Sequence, residues 1–293
     1  MNHRENYPEV PTFDIQNLKL WYFSKEIKAL DGINLKIFDS QINVILGQNG
    51  SGKSSLLKCL AGVQKWNEGD IFRHGRSRKT DLENFNSDQI FISEDITLPQ
   101  FPLNELVEIY SSIWIKFDTA VFQRIISIGD ISMNKRSSQL SRGQKILVQF
   151  ALGLATGCKI ILIDEVTAAL DPYVRGSVAE ELLVYQKQHS ATVILATNIA
   201  TEFHTDVQLI LLKRGEIYLQ GASSELAKEF VRFKVPRDRP ANNKNWVPLQ
   251  TSSRGEQWII SQKQDFTISD GFEVDARPVS IEEIFVYLSF RGK

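Results

Sequence analysis

The chain is short of the residues that would mark a disulfide scaffold or a metal protein. Of 293 residues, 2 are cysteine and 4 histidine. Cys59 and Cys158 stand in apolar, helix-like sequence with no second Cys or His at ligand spacing. A disulfide framework and a zinc site are therefore excluded, and both cysteines read as reduced core residues. No sign of charge is in excess either. Lys and Arg number 34 against 35 Asp and Glu, leaving a net charge of -1. A surface built to neutralise phosphates needs far more basic charge, so no nucleic-acid partner is expected. Long hydrophobic runs are missing: residues 160–163 and 193–196 are among the longest, well short of a bilayer span. The polar opening, residues 1–10, has no apolar stretch behind it, so a soluble, cytoplasmic chain without a leader is expected. Internal repeats and low-complexity tracts are absent too.

What is present is enough apolar sequence, 42%, for one large domain with an appendage. Short β-branched runs alternate with helix-period segments from about residue 13 to 221, which predicts an α/β domain with buried parallel strands. The clearest strands are predicted at 42–46, 159–163, 192–197 and 207–212. The last is followed by a hairpin return at 217–219, with Gly215 supplying the positive φ of the turn. Between 101 and 138 the strand signal vanishes, and two amphipathic helices are predicted at 103–114 and 118–128, the second capped by Asp118. Beyond Arg232 the sequence turns polar and proline-bearing, which reads as a linker. Order resumes near Gln257, with short strands at 258–261 and 272–274 and a capped helix from Ser280.

The chemistry sits in three motifs. Gly47-Gln48-Asn49-Gly50-Ser51-Gly52-Lys53-Ser54 follows the strand 42–46 and opens an apolar helix at Ser55, the strand-to-helix setting of a phosphate-binding loop. Its glycines let backbone N–H groups turn inward around phosphate oxygens, and the helix N-terminus adds its dipole. Lys53 can reach the β and γ phosphates and Ser54 can ligate Mg²⁺. The apolar run 160–163 ends in Asp164 and Glu165, a carboxylate for the metal and a second to orient an attacking water. Leu140-Ser141-Arg142-Gly143-Gln144 opens a long apolar helix, 145–155, with Ser141 as its N-cap.

In this order the motifs resemble ABC-type ATPases, whose signature normally reads Leu-Ser-Gly-Gly-Gln; Arg142 stands at its first glycine. The resemblance covers about residues 13–221. It implies a P-loop NTPase core of the ABC type, α/β, with a β edge subdomain and a helical signature subdomain, and here a small C-terminal α+β extension. The implied boundaries are 12–230 for the ATP-binding domain, with the helical subdomain at about 95–155, then a linker over 231–256 and the extension over 257–293. Tyr22 matches the family's adenine-stacking aromatic, with Trp21 or Phe23 as alternatives, and Ala169-Leu170-Asp171 matches its D-loop. ATP contacts are thus implied for Tyr22, for Gly47 through Ser55 (Gln48, Asn49, Gly50, Ser51, Gly52, Lys53 and Ser54 between them), and for Ser141, Gly143, Gln144 and Asp171. Mg²⁺ contacts are implied for Ser54, Asp164 and Glu94, and catalytic roles for Glu165, Glu94 and Asn198.

Two of these depart from the family's pattern. Glu94 stands where a glutamine is usual, and Asn198 where a histidine usually touches the γ-phosphate; none of His3, His74, His189 and His204 falls there. Val166 replaces a usual proline. A single phosphate loop and a single signature imply a second ATPase subunit, a copy of this chain or a paralogue, because each composite site joins the loop of one to the signature of the other. Membrane-spanning permease subunits are the other implied partners, holding the chain at the inner face of the membrane. Residues 277–285 resemble the ending of exporter subunits, so the expected function is to power an ABC exporter. A nucleotide-gated regulatory module with weak ATPase activity is the alternative.

Overall fold

The computed structural model describes residues 10–23, 26–81, 85–86, 88–93, 97–166, 170–198, 206–235, 245–251, 257–266, 272–275 and 277–290. Its elements run β1 (Phe13–Trp21), β2 (Lys28–Ile37), β3 (Ile42–Leu46), α1 (Lys53–Leu60), β4 (Glu68–Arg73), β5 (Arg76–Ser77), β6 (Gln89–Ser93), α2 (Leu103–Ile113), α3 (Thr119–Ile128) and α4 (Arg142–Ala155). They continue with β7 (Ile160–Asp164), α5 (Pro172–His189), β8 (Thr192–Thr197), β9 (Gln208–Lys213), β10 (Glu216–Ala222), α6 (Ser223–Lys228), β11 (Phe230–Val235), β12 (Val247–Thr251), β13 (Gln257–Gln262), β14 (Glu273–Val274) and α7 (Ile281–Phe290).

The central sheet has the order β10-β9-β3-β8-β7-β6, parallel except for the β9–β10 hairpin. Strands β3, β7 and β8 are buried at every position, as strands covered on both faces must be, and so they read as unbroken apolar runs. Their alternate residues serve two cores. Ile45, Leu162, Ile194 and Ile210 face α1 and the antiparallel edge sheet β2-β1-β4-β5. Leu46, Ile163, Leu195 and Leu211 face the helical side. There the helices predicted at 103–114 and 118–128 appear within a residue of those ends, while the one predicted at 145–155 begins three residues earlier, at Arg142, where the Ser141 cap starts it. The Asp118 carboxylate accepts from the N–H groups of Ala120 and Val121 at 2.8 and 3.2 Å, satisfying two of the unpaired donors of α3. In the β9–β10 turn Arg214 and Gly215 take φ 52 and 81, the left-handed pair that a two-residue hairpin requires. Both cysteines are buried; desolvation pushes the Cys59 thiol up to about 12 and raises that of Cys158.

The stretch 231–256 is not simply a linker. Its first residues belong to β11, which pairs antiparallel with β13, and β12 covers the other side of β13, giving a third sheet of order β12-β13-β11-β14. Arg232 and Lys234 alternate with Val231, Phe233 and Val235, and Arg232 is held by Asp275 and Glu283; the charges sit on one face of a strand rather than in an unstructured connection. Nor is the extension a separate body. Phe230, Val247, Ile260, Val279, Ile284 and Tyr287 lie in the same core as Leu195 and Leu211, with the Phe230 and Tyr287 rings edge to face at 5.3 Å. Phe233 and Ile259 build a smaller cluster on the far face of the third sheet with Trp246, Phe266 and Phe272.

Candidate nucleotide site

The register of the parallel strands aligns the motifs along one edge of the sheet. Leu46 pairs with Thr197, Asp164 with Ala196 and Ser93 with Asp164. The loop after β3, the two carboxylates ending β7 and Asn198 after β8 therefore emerge side by side at the carboxyl ends of the strands, the crevice where open α/β sheets take their ligands.

Local sterics give the loop its shape. A Cβ on Gly47 would lie 2.6 Å from the Leu212 carbonyl oxygen, and one on Gly52 2.4 Å from that of Ala29. Gly52 also takes φ 106 and caps α1 without a side chain, which leaves the first-turn N–H groups directed at the crevice. Lys53 follows, its side chain 2% exposed. Its Nζ donates to the Gly47 and Gln48 carbonyls at 2.9 and 3.3 Å and pairs with Glu165 Oε1 at 2.9 Å. Ser54 Oγ donates to Asp164 Oδ1 at 2.8 Å. Glu165 adopts φ 51, a left-handed backbone costing a non-glycine residue about 1–3 kcal/mol, while its N–H donates to the Ala196 carbonyl at 3.0 Å. That twist turns the carboxylate out of the line of β7 and onto Lys53. The pairing of Lys53 with Glu165 went unforeseen, because no glycine or asparagine flags the turn at 165.

The structure places the remaining candidates less uniformly. Tyr22 is half-buried with its hydroxyl 3.2 Å from Ser55 Oγ, beside the start of α1, whereas its neighbour Phe23 is fully exposed at φ 61. Of the three aromatics, Phe23 presents the open ring and Tyr22 the anchored one. Ser141 and Gln144 form a reciprocal cap on α4: each side chain accepts from the other's N–H at 3.2 Å, and Gln144 Nε2 donates to the Gly129 carbonyl at 3.5 Å. Among the described residues no hydrogen bond joins Ser141, Gly143 or Gln144 to the phosphate loop. Asp171 caps α5, accepting from Tyr173 and Val174 at 3.0 and 3.1 Å. Asn198 is exposed directly after β8. Glu94 lies outside the described residues.

Residues 30–168 match the family model described as ABC transporter, a span that holds the loop, the signature and both carboxylates. Over that span the chain carries an ABC transporter nucleotide-binding domain. This domain is a P-loop ATPase in class. Among its curated relatives are the energy-coupling factor transporter ATP-binding protein EcfA1 of Staphylococcus aureus, 27% identical over 84% of this chain and 96% of that protein, and the methionine import ATP-binding protein MetN 1 of Bacillus licheniformis, 28% identical over 84% and 82%. The ribose import ATP-binding protein RbsA of Caldanaerobacter subterraneus subsp. tengcongensis is 26% identical over 84% of this chain, which spans only 51% of it. Among solved structures, cbiO1 of Clostridium perfringens, part of the ABC transporter complex cbiONQ, aligns with a TM-score of 0.62 and 25% identity over 75% of this chain and 92% of that one. A dimeric bacterial ABC transporter cassette shares the fold, with a TM-score of 0.63 and 24% identity over 72% and 98%.

Proposed function

We propose that this chain powers a membrane transporter by closing with a second ATPase subunit over two ATP molecules and reopening on hydrolysis. The observation that carries the reading is the convergence of Lys53, Ser54, Asp164 and Glu165 at one sheet edge, two polar pairs no longer than 2.9 Å. Ser54 and Asp164 offer the hydroxyl and carboxylate oxygens that a hard divalent cation takes, and would hold Mg²⁺. When bound, that ion supplies neutralising charge to the transferred phosphoryl group. Lys53 then exchanges the Gly47 carbonyl and Glu165 for the β and γ phosphates, and Glu165, released from its cation, orients the attacking water and accepts its proton. Ser141 and Gly143 of the second subunit complete each site, and Asp171 adds a contact across the interface. Phe23 or Tyr22 takes the base.

The permease side of the reading draws on the helical subdomain. Phe101, Ile109, Ile113 and Ile115 are exposed there, apolar side chains suited to meeting a membrane subunit; cbiO1 is described as part of an ABC transporter complex and EcfA1 as a transporter ATP-binding protein. No described helix is long and apolar enough to cross a membrane, so attachment would run through that partner. The exporter direction is withdrawn. It rested on the likeness of residues 277–285 to exporter endings, whereas the ribose and methionine relatives are named for import, which favours uptake.

Lys53→Ala tests the site. It removes the cation facing the phosphates, and ATP affinity is expected to fall at least about tenfold in a fluorescent-nucleotide titration, with unchanged circular dichroism. Unaltered affinity would overturn the assignment.

A further inference from the structure

We propose that α7 is a positioning element for the phosphate loop, coupling the C-terminal sheet to nucleotide occupancy; this rests on the ATP-site reading above. Gln48 Nε2 donates to the Ser289 carbonyl of α7 at 3.3 Å, joining positions 241 residues apart. Gln48 is the loop residue through which such a tie acts most directly. Its own carbonyl accepts from the Ser51 N–H at 3.0 Å and from Lys53 Nζ at 3.3 Å, so the residue fastened to α7 also closes the loop.

The helix is well placed to hold it. Ile284 and Tyr287 are fully buried in the main core. Ser280 and Glu283 cap one another, with N–H to oxygen distances of 2.9 and 3.2 Å. Glu283 is bound in turn by Arg232 of β11, which also holds Asp275 at 2.5 Å. One side of α7 is thus pinned to the third sheet, and the other meets the loop across a cavity of about 180 Å³ walled by residues 47–51, Leu212, Tyr218, Phe285 and Ser289. Lys53, Ser54 and the two carboxylates do not line it, so it lies behind the phosphate crevice. Among the described residues two hydrogen bonds fasten the loop on this side: the Ser51 carbonyl accepts from Gly215 N–H at 2.9 Å, and Gln48 donates to Ser289. Ser51 Oγ is buried without a hydrogen-bond partner among the described residues, so it adds no further tie. Holding Gln48 outward keeps the loop's N–H groups facing the phosphates, and linkage requires nucleotide to steady α7 by the same factor.

The full chain provides the test. Removing residues 289–293 deletes the acceptor, and Gln48→Ala deletes the donor. Each change is expected to weaken binding of a fluorescent ATP analogue about two- to tenfold, the range of one net hydrogen bond, and the combination to weaken it no further than either alone. Hydrogen exchange gives a reading that does not depend on the truncation folding. Amides of α7 should exchange more slowly with MgATP in the parent, and Gln48→Ala should abolish that slowing. Additive losses, or α7 exchange indifferent to nucleotide while Lys53→Ala still impairs binding, would overturn the proposal and leave the ATP site standing. Normal binding by Lys53→Ala would remove the site and this inference together.

Discussion

Lys53 and Glu165 meet directly, and their contact gives the candidate site its character. A buried ammonium needs acceptors, and here it takes two carbonyls and the carboxylate of Glu165, the proposed base. On the proposed reading, phosphate draws the lysine away and leaves Glu165 to act as base. Glu165→Gln keeps the shape and gives up the base, so the variant should bind ATP, lose hydrolysis by about 10²–10⁴, and accumulate closed dimers in size-exclusion chromatography with ATP and Mg²⁺. A variant that stays monomeric or turns over like the parent would move the catalytic role elsewhere. Asn198 sits exposed at the end of β8, one residue beyond the partner of Leu46, and offers a neutral hydrogen bond where a histidine could offer a charged one. Asn198→His should speed steady-state hydrolysis about ten- to thirtyfold, the equivalent of about 1–2 kcal/mol in the transition state, with ATP affinity little changed. Glu165 and Asn198 could be singled out from the sequence because each directly follows an apolar strand, and strand ends in a parallel sheet converge. The left-handed turn at Glu165 and the openness of Phe23 could not, since both depend on backbone that the side chains do not announce.

At the scale of elements, the loop between β3 and α1 is governed by how closely β2 and β9 approach it. Gly52→Ala would drive a methyl group to 2.4 Å from the Ala29 carbonyl at φ 106, whereas a methyl at Gly50, φ 79, meets open space. Gly52→Ala is expected to lower stability by about 2 kcal/mol or more in urea unfolding and to impair ATP binding; Gly50→Ala should cost only its backbone strain, about 1 kcal/mol. Equal losses would show that φ alone matters and that the approach of β2 does not. The helical subdomain could be read from the sequence because α2 and α3 show clear helical periodicity and Asp118 marks a start. Strands β11 and β12 could not, because they are short, flank a proline-bearing polar stretch, and owe their burial to partners distant in sequence.

Over the whole molecule, the parallel sheet, the helical subdomain and the C-terminal sheet share one core. A chain ending at residue 236 loses Val247, Ile260, Val279, Ile284 and Tyr287 from that core, and uncovers the apolar faces they rest on. It would be expected to bind ATP if the extension were separable. With the shared core, its thermal midpoint should instead fall by at least about 10 °C or the protein should aggregate, as differential scanning fluorimetry would show; an unshifted midpoint would mean the extension is dispensable. The same sharing bears on how the protein comes into being. During synthesis the residues of β3, β7 and β8 are made first, whereas Val279, Ile284 and Tyr287 of the core they share are made much later, and the helix that bears the last two packs on β12, β13 and α6. A nascent chain that has made β12 and β13 but not α7 thus exposes Val247 and Ile260, open to chaperones and to neighbouring chains. Translation that stops short of α7 yields a chain without Ile284 and Tyr287 in its core and, on the coupling proposed above, without the tie to Gln48, so the fold would check that its own message has been read that far before the phosphate loop is held in working order.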